Sequence, residues 1–131
     1  MRNTPDKKTG DWEEKVILIV EDNELNYRLL EKMLEKTLAK ILYAKDGNDA
    51  IDICRENTGI DIILMDIQLP GMDGCEATRI IKTILPGVPV IAQTAYSTGG
   101  EHIRIRESGC DDYLTKPINQ QKLLDILSDY L

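Results

Sequence analysis

The sequence predicts a doubly wound α/β domain, in which five short parallel strands form one sheet with helices on both faces. Three observations predict it. Apolar runs recur along the chain as VILIV (16–20), ILYA (41–44), IILM (62–65), VPVIA (88–92) and the short YL (113–114). Each run is followed by a stretch with helical apolar spacing. The runs are nearly continuous rather than alternating, so each needs cover on both sides, and a parallel connection needs a crossover helix to return the chain.

Taken in order, residues 1–14 are polar, contain Pro5 and Gly10 and lack apolar periodicity. They read as a flexible leader or linker, which leaves residues 15–131 as the domain. After the first strand, Leu25, Leu29, Leu30, Met33, Leu34 and Leu38 fall on one helical face, with Asn23 placed to cap the helix. The third helix carries Ala77, Ile80, Ile81 and Ile84 on one face, with Asp73 as its cap. The fifth carries Leu123, Leu124, Leu127 and Leu131. The fourth is the least regular: STGGEHIRIRESG opens on two glycines, and Ile103 and Ile105 alternate. It is assigned helix because a crossover is needed there.

Composition narrows the function classes. A chain of 131 residues that is 42% hydrophobic is one domain able to bury a core. No apolar run approaches the roughly 20 residues of a membrane span, and the N-terminus lacks the apolar segment of a signal peptide, so a cytoplasmic protein without membrane insertion is expected. Cys54, Cys75 and Cys110 form no CxxC pair and read as reduced, packed thiols. Acidic and basic residues cancel over residues 1–15, so the whole net charge of −7 lies in residues 16–131. That balance repels phosphate backbones and anionic lipid, and no basic patch argues for direct nucleic acid binding.

Ligands of such folds bind at the carboxyl ends of the strands. The first strand there ends in Glu21-Asp22, the third in Asp66 and the fourth in Thr94, while the fifth leads into Lys116-Pro117. Carboxylates converging on one cleft resist ionisation unless a cation neutralises them, and hard oxygen ligands suit Mg²⁺. The same positions describe a phosphoryl-transfer site: Asp66 as a carboxylate nucleophile, with a metal, a hydroxyl and Lys116 stabilising the phosphoryl oxygens.

The motifs VILIVEDN (16–23), ILMDIQLPGMDG (63–74), IAQTAY (91–96) and DDYLTKPI (111–118) resemble, in order and spacing, the receiver domains of two-component response regulators. The resemblance implies a flavodoxin-like (βα)5 fold with strand order 2-1-3-4-5. Asp66 is then the phosphoacceptor, and Asp22, Asp66 and the backbone carbonyl of Gln68 bind Mg²⁺, with Glu21 acting mainly through metal-bound water. Thr94 and Lys116 contact the phosphoryl group, Tyr113 is the aromatic switch, and the Lys116-Pro117 bond is cis. Gln68 and Tyr96 fall at the two positions that tune hydrolysis. The implied function is a phosphorelay switch that takes its phosphoryl group from a histidine kinase or a histidine phosphotransfer protein and changes conformation at helix four, strand five and helix five. Its only chemistry would be self-phosphotransfer and slow autodephosphorylation. EDNELNYRLL and DWEEK are similar to receivers attached to hybrid histidine kinases.

Other readings weigh less. A haloacid dehalogenase-type phosphohydrolase would place a second aspartate where Gln68 stands, and a flavodoxin-like nucleotide or flavin domain would need glycines or hydroxyls where EDNELN has acids. A degenerate receiver used only for docking would not need the full residue set. Taken singly, Glu21-Asp22 could serve a helix dipole, Lys116 could be a solvated lysine and Tyr113 could pack with its hydroxyl exposed. His102, the sole histidine, reads as a surface residue rather than a phosphodonor.

Overall fold

A computed structural model describes residues 12–95 and 99–131. Five parallel strands, β1 (Val16–Val20), β2 (Lys40–Ala44), β3 (Ile62–Asp66), β4 (Val90–Thr94) and β5 (Asp112–Thr115), form one sheet in the order 2-1-3-4-5. They alternate with α1 (Glu24–Leu34), α2 (Gly47–Glu56), α3 (Gly74–Ile84), α4 (Gly99–Glu107) and α5 (Gln120–Tyr130). The order reverses beside β1, so the carboxyl ends of β1 and β3 flank the switch point of the sheet.

Side-chain alternation divides the core in two. Leu18, Val20, Ile63, Met65, Val90 and Ala92 pack against α2, α3 and α4. Ile17, Ile19, Ile62, Leu64, Ile91 and Leu114 pack against α1 and α5. Every residue of β3 and β4 is buried, as strands covered on both faces must be. Asn23, Asp73 and Asn119 cap α1, α3 and α5 by accepting a backbone N–H three residues on.

Several expectations need correction. The apolar face read into the first helix is only partly a core face: Leu30 and Leu34 are buried, but Leu25 is 68% and Leu29 52% exposed. Leu38 is not in the helix at all. The chain tightens into a 3-10 turn over Glu35–Thr37, the Thr37 hydroxyl donates to the Leu34 carbonyl at 2.6 Å, and Leu38 sits at φ 66° with its side chain in solvent. The fourth strand starts two residues later than VPVIA implies. Pro89 has no N–H for a ladder, so regular pairing begins at Val90 and brings Gln93 and Thr94 into the strand. Packing also reaches back beyond Lys15: Trp12 is 5% exposed in the α1/α5 core, and its backbone N–H donates to Thr37 O at 2.9 Å. The three cysteines are free and buried.

Candidate functional site

Glu21 and Asp22 follow β1, Asp66 ends β3, and Lys116 follows β5, so three strands of the sheet deliver them to one edge. Carboxylate oxygens of Glu21, Asp22 and Asp66 lie within 4.8 Å of one another. Glu21 and Asp66 are 1% and 2% exposed, while Asp22 is open to solvent. Lys116 Nζ donates to Asp66 Oδ2 at 3.1 Å and stands 4.0 Å from Glu21 Oε1. Asp66 Oδ1 accepts the Gln68 N–H at 3.0 Å, and Glu21 Oε2 accepts the Asn23 N–H at 3.2 Å.

One ammonium is too little positive charge for three carboxylates. Burial, and next the charge of Asp66, push the Glu21 carboxyl up to about 7. The cluster is therefore charge-frustrated, and its hard oxygen donors fit a divalent cation that would relieve it.

The loop after Asp66 is fixed by close approach. A Cβ on Gly74 would collide with the Asp66 carbonyl oxygen and lie 2.8 Å from Ile67 Cα, so only glycine lets α3 start against the backbone of β3. Gly74 N–H donates to Ile67 O at 2.9 Å. Asp73, besides capping α3, pairs with Arg104 of α4 at 2.6 Å.

Thr94 is fully buried at the end of β4, and its backbone carbonyl accepts the Lys116 N–H at 2.8 Å. Tyr113 is half-buried on β5. His102 corrects the expectation of a surface residue: its ring stacks on Tyr113 with centroids 4.2 Å apart, Tyr113 Oη lies 3.4 Å from Nδ1, and Nε2 is enclosed without a partner among the described residues. The side chain of Gln68 is exposed beside Asp66. Tyr96 lies outside the described residues. The Lys116-Pro117 bond is cis.

Sequence reasoning overlooked Gln93, Arg104 and the stacking of His102. Gln93 had a visible signal, being the one amide in the apolar run VIAQT. The other two depend on how α4 is set against α3 and β5, which periodicity does not encode.

A doubly wound five-stranded domain with an acidic cluster and a lysine at its switch point is the architecture of a phosphoacceptor signalling module. The chain belongs to the response regulator receiver domain family, whose profile matches residues 17–128. It is 40% identical over 119 residues to the polar-differentiation response regulator DivK of Brucella anthropi, an alignment covering 89% of this chain and 96% of that protein. Among solved structures it is similar to the receiver domain of a Pseudomonas aeruginosa sensor histidine kinase with a magnesium ion in its active site cleft. That match has 36% identity and a TM-score of 0.82, covering 88% of this chain and 96% of that one. It is also similar to the receiver domain of the Saccharomyces cerevisiae response regulator Ssk1, solved with the histidine phosphotransfer protein Ypd1. Here identity is 33% and the TM-score 0.83, with 88% of each chain covered. No helix among the described residues is long and apolar enough to cross a membrane.

Proposed function

We propose that this receiver domain is a phosphorelay switch in which Asp66 accepts a phosphoryl group from a phosphohistidine on a histidine kinase or histidine phosphotransfer protein. The observation that carries the reading is the Lys116 ammonium held 3.1 Å from a buried Asp66 carboxylate at the edge of the sheet. An Asp66 oxygen attacks phosphorus, the phosphorus–nitrogen bond of the donor breaks, and the departing imidazole keeps the electron pair and takes a proton. An acyl phosphate is left on Asp66.

Asp22, Asp66 and the backbone carbonyl of Gln68 would hold Mg²⁺, with Glu21 beside them. When bound, the ion offsets the negative charge of the carboxylates and of the phosphoryl oxygens. Lys116 swings its ammonium from the carboxylate to a phosphoryl oxygen, and the Thr94 hydroxyl supplies a hydrogen bond from the neighbouring strand. Movement of Thr94 toward the phosphoryl group opens room for Tyr113 and shifts the face formed by α4, β5 and α5. The domain turns over no external substrate: it transfers the group to itself and releases it slowly to water.

The proposed place of action is the cytoplasm, consistent with three free buried thiols. The net charge of −7 supports a protein partner rather than nucleic acid. Kinship with the sensor-kinase receiver supports an origin in a hybrid histidine kinase, and kinship with DivK supports a free-standing regulator equally well. Incubation with Mg²⁺ and acetyl phosphate, read by intact mass, tests the reading. Wild type should gain one acid-labile phosphoryl group and Asp66→Asn none. No gain in wild type, or the same gain in the variant, would refute it.

A further inference from the structure

The loop that follows Asp66 is tied to a helix that carries no member of the acidic cluster. Arg104 of α4 donates from Nη2 to Asp73 Oδ2 at 2.6 Å and from Nη1 to the Cys75 thiol at 3.1 Å. Asp73 and Cys75 flank Gly74, the first residue of α3. One guanidinium therefore clasps the N-terminus of α3 on both sides of that glycine.

The clasp bears on the phosphoacceptor through the backbone. Gly74 is seated so close to the Asp66 carbonyl that a Cβ would not fit, and its N–H donates to Ile67 O at 2.9 Å. Residues 67–73 form the loop between those anchors, and within it the Gln68 N–H donates to Asp66 Oδ1 at 3.0 Å. Moving Asp73 displaces one end of that loop, and with it the Gln68 carbonyl read above as a magnesium ligand. Asp73 Oδ1 is engaged in capping α3, where it accepts the Glu76 N–H at 2.9 Å, and Oδ2 is the oxygen that meets Arg104.

The chemistry of the contact makes it a directed link. At 2.6 Å, the Arg104–Asp73 bond lies at the short end for a charge-assisted pair. Burial pushes the Cys75 thiol up, so it stays neutral and leaves Asp73 as the nearest charge for Arg104; Glu101, on the same helix, stands 3.6 Å away. The two side chains are 41% and 39% exposed, so water screens the pair and its strength is modest. We propose that Arg104 is a positioning residue for the phosphoacceptor loop, holding Asp73, and through it the Gln68 carbonyl, in the geometry that receives Mg²⁺.

The inference rests on the magnesium-dependent phosphoacceptor reading and adds a route between the site and α4 that uses neither Thr94 nor Tyr113. By linkage, whatever affinity Arg104 lends the metal site, the metal returns as protection of α4.

Magnesium titrations followed by the amide signals of residues 21–23 and 66–68 test the proposal. Long-range charge and positioning predict opposite signs. If Arg104 acts only through its field, removing its positive charge in Arg104→Met should tighten Mg²⁺; if it positions the loop, the same change should weaken Mg²⁺ about threefold. Arg104→Lys, which can still pair with Asp73, should recover most of the loss. In an Asp73→Asn background, which keeps the cap and removes the charge, Arg104→Met should have little further effect. Ile103→Gly weakens α4 without touching the pair and should leave Mg²⁺ affinity unchanged. Saturating Mg²⁺ should slow amide exchange over residues 102–107 about threefold in wild type and not in Arg104→Met. Unchanged or tighter Mg²⁺ in Arg104→Met, no recovery by lysine, or equal weakening in Ile103→Gly would overturn the proposal and leave the phosphoacceptor reading intact. So would a full loss from Arg104→Met in the Asp73→Asn background, or exchange slowed equally in wild type and Arg104→Met. If wild type bound no Mg²⁺ and took up no phosphoryl group, both readings would fall.

Discussion

Replacing Glu21 by glutamine should stabilise the metal-free domain at alkaline pH and leave it unchanged in acid. The Glu21 carboxyl is raised from 4.5 to about 7, first by burial and then by the charge of Asp66. At about 1.4 kcal/mol per unit, that difference is worth about 3 kcal/mol, a sizeable share of the roughly 5–15 kcal/mol that holds a domain together. The sign comes from proton binding. The folded state holds the Glu21 proton more tightly than the unfolded state, so this contribution is fully present below pH 4.5 and is lost as pH rises through about 7. Glutamine is isosteric with the protonated acid and keeps an oxygen for the Asn23 N–H. Urea denaturation of wild type and Glu21→Gln in a chelating buffer, from about pH 4 to pH 8, should give curves that meet in acid and separate by about 3 kcal/mol above pH 7. Parallel curves across that range would refute the account of Glu21 as a buried, charge-frustrated acid. In Asp66→Asn the window should narrow, because the second cause of the shift is gone.

Asp22→Ala should lose the magnesium-dependent shifts of the amides of residues 21–23 and 66–68 and, with them, phosphorylation by acetyl phosphate; an unchanged metal titration would remove Asp22 from the site. Beryllofluoride with Mg²⁺ should move the amide signals of residues 99–115, and stillness there would eliminate α4 and β5 as the responding face. Dephosphorylation should be faster in both Gln68→Ala and Tyr96→Ala, because a large side chain at either position crowds the line along which water must approach phosphorus. Equal or slower loss in both variants would end the shielding argument.

The sheet was legible because its signal is local and repeated. Each strand is a short apolar run, and a run buried on both faces has few other places to go. The acids at the strand ends were legible for the same reason: a charge that terminates an apolar run has its position fixed by the strand before it. What escaped depends on packing between elements. Leu25 and Leu29 have helical spacing identical in kind to that of Leu30 and Leu34, and only the placement of α1 over the sheet decides which pair faces the core. The start of β4 was misplaced because Val88 and Val90 look alike in composition, while Pro89 between them removes a donor the ladder would need. His102 was read as solvated because its neighbours in sequence are polar. Its neighbour in space is Tyr113, from another element. Arg104 and Asp73 are 31 residues apart, and no periodicity joins them.

Helix α4 is lightly held. Its one buried residue is Ile105, and Ile103 is 52% exposed. Arg104, paired with Asp73 and touching the Cys75 thiol, and His102, stacked on Tyr113, tie it to other elements. Forces of three kinds, apolar, ionic and aromatic, thus act through three residues, Ile105, Arg104 and His102, on a helix that starts with two glycines. Such a segment belongs at the shallow end of the molecule's ladder of local openings, where exchange of amide protons is fastest. Strands β3 and β4, buried along their whole length, are the reference against which such an opening would be measured.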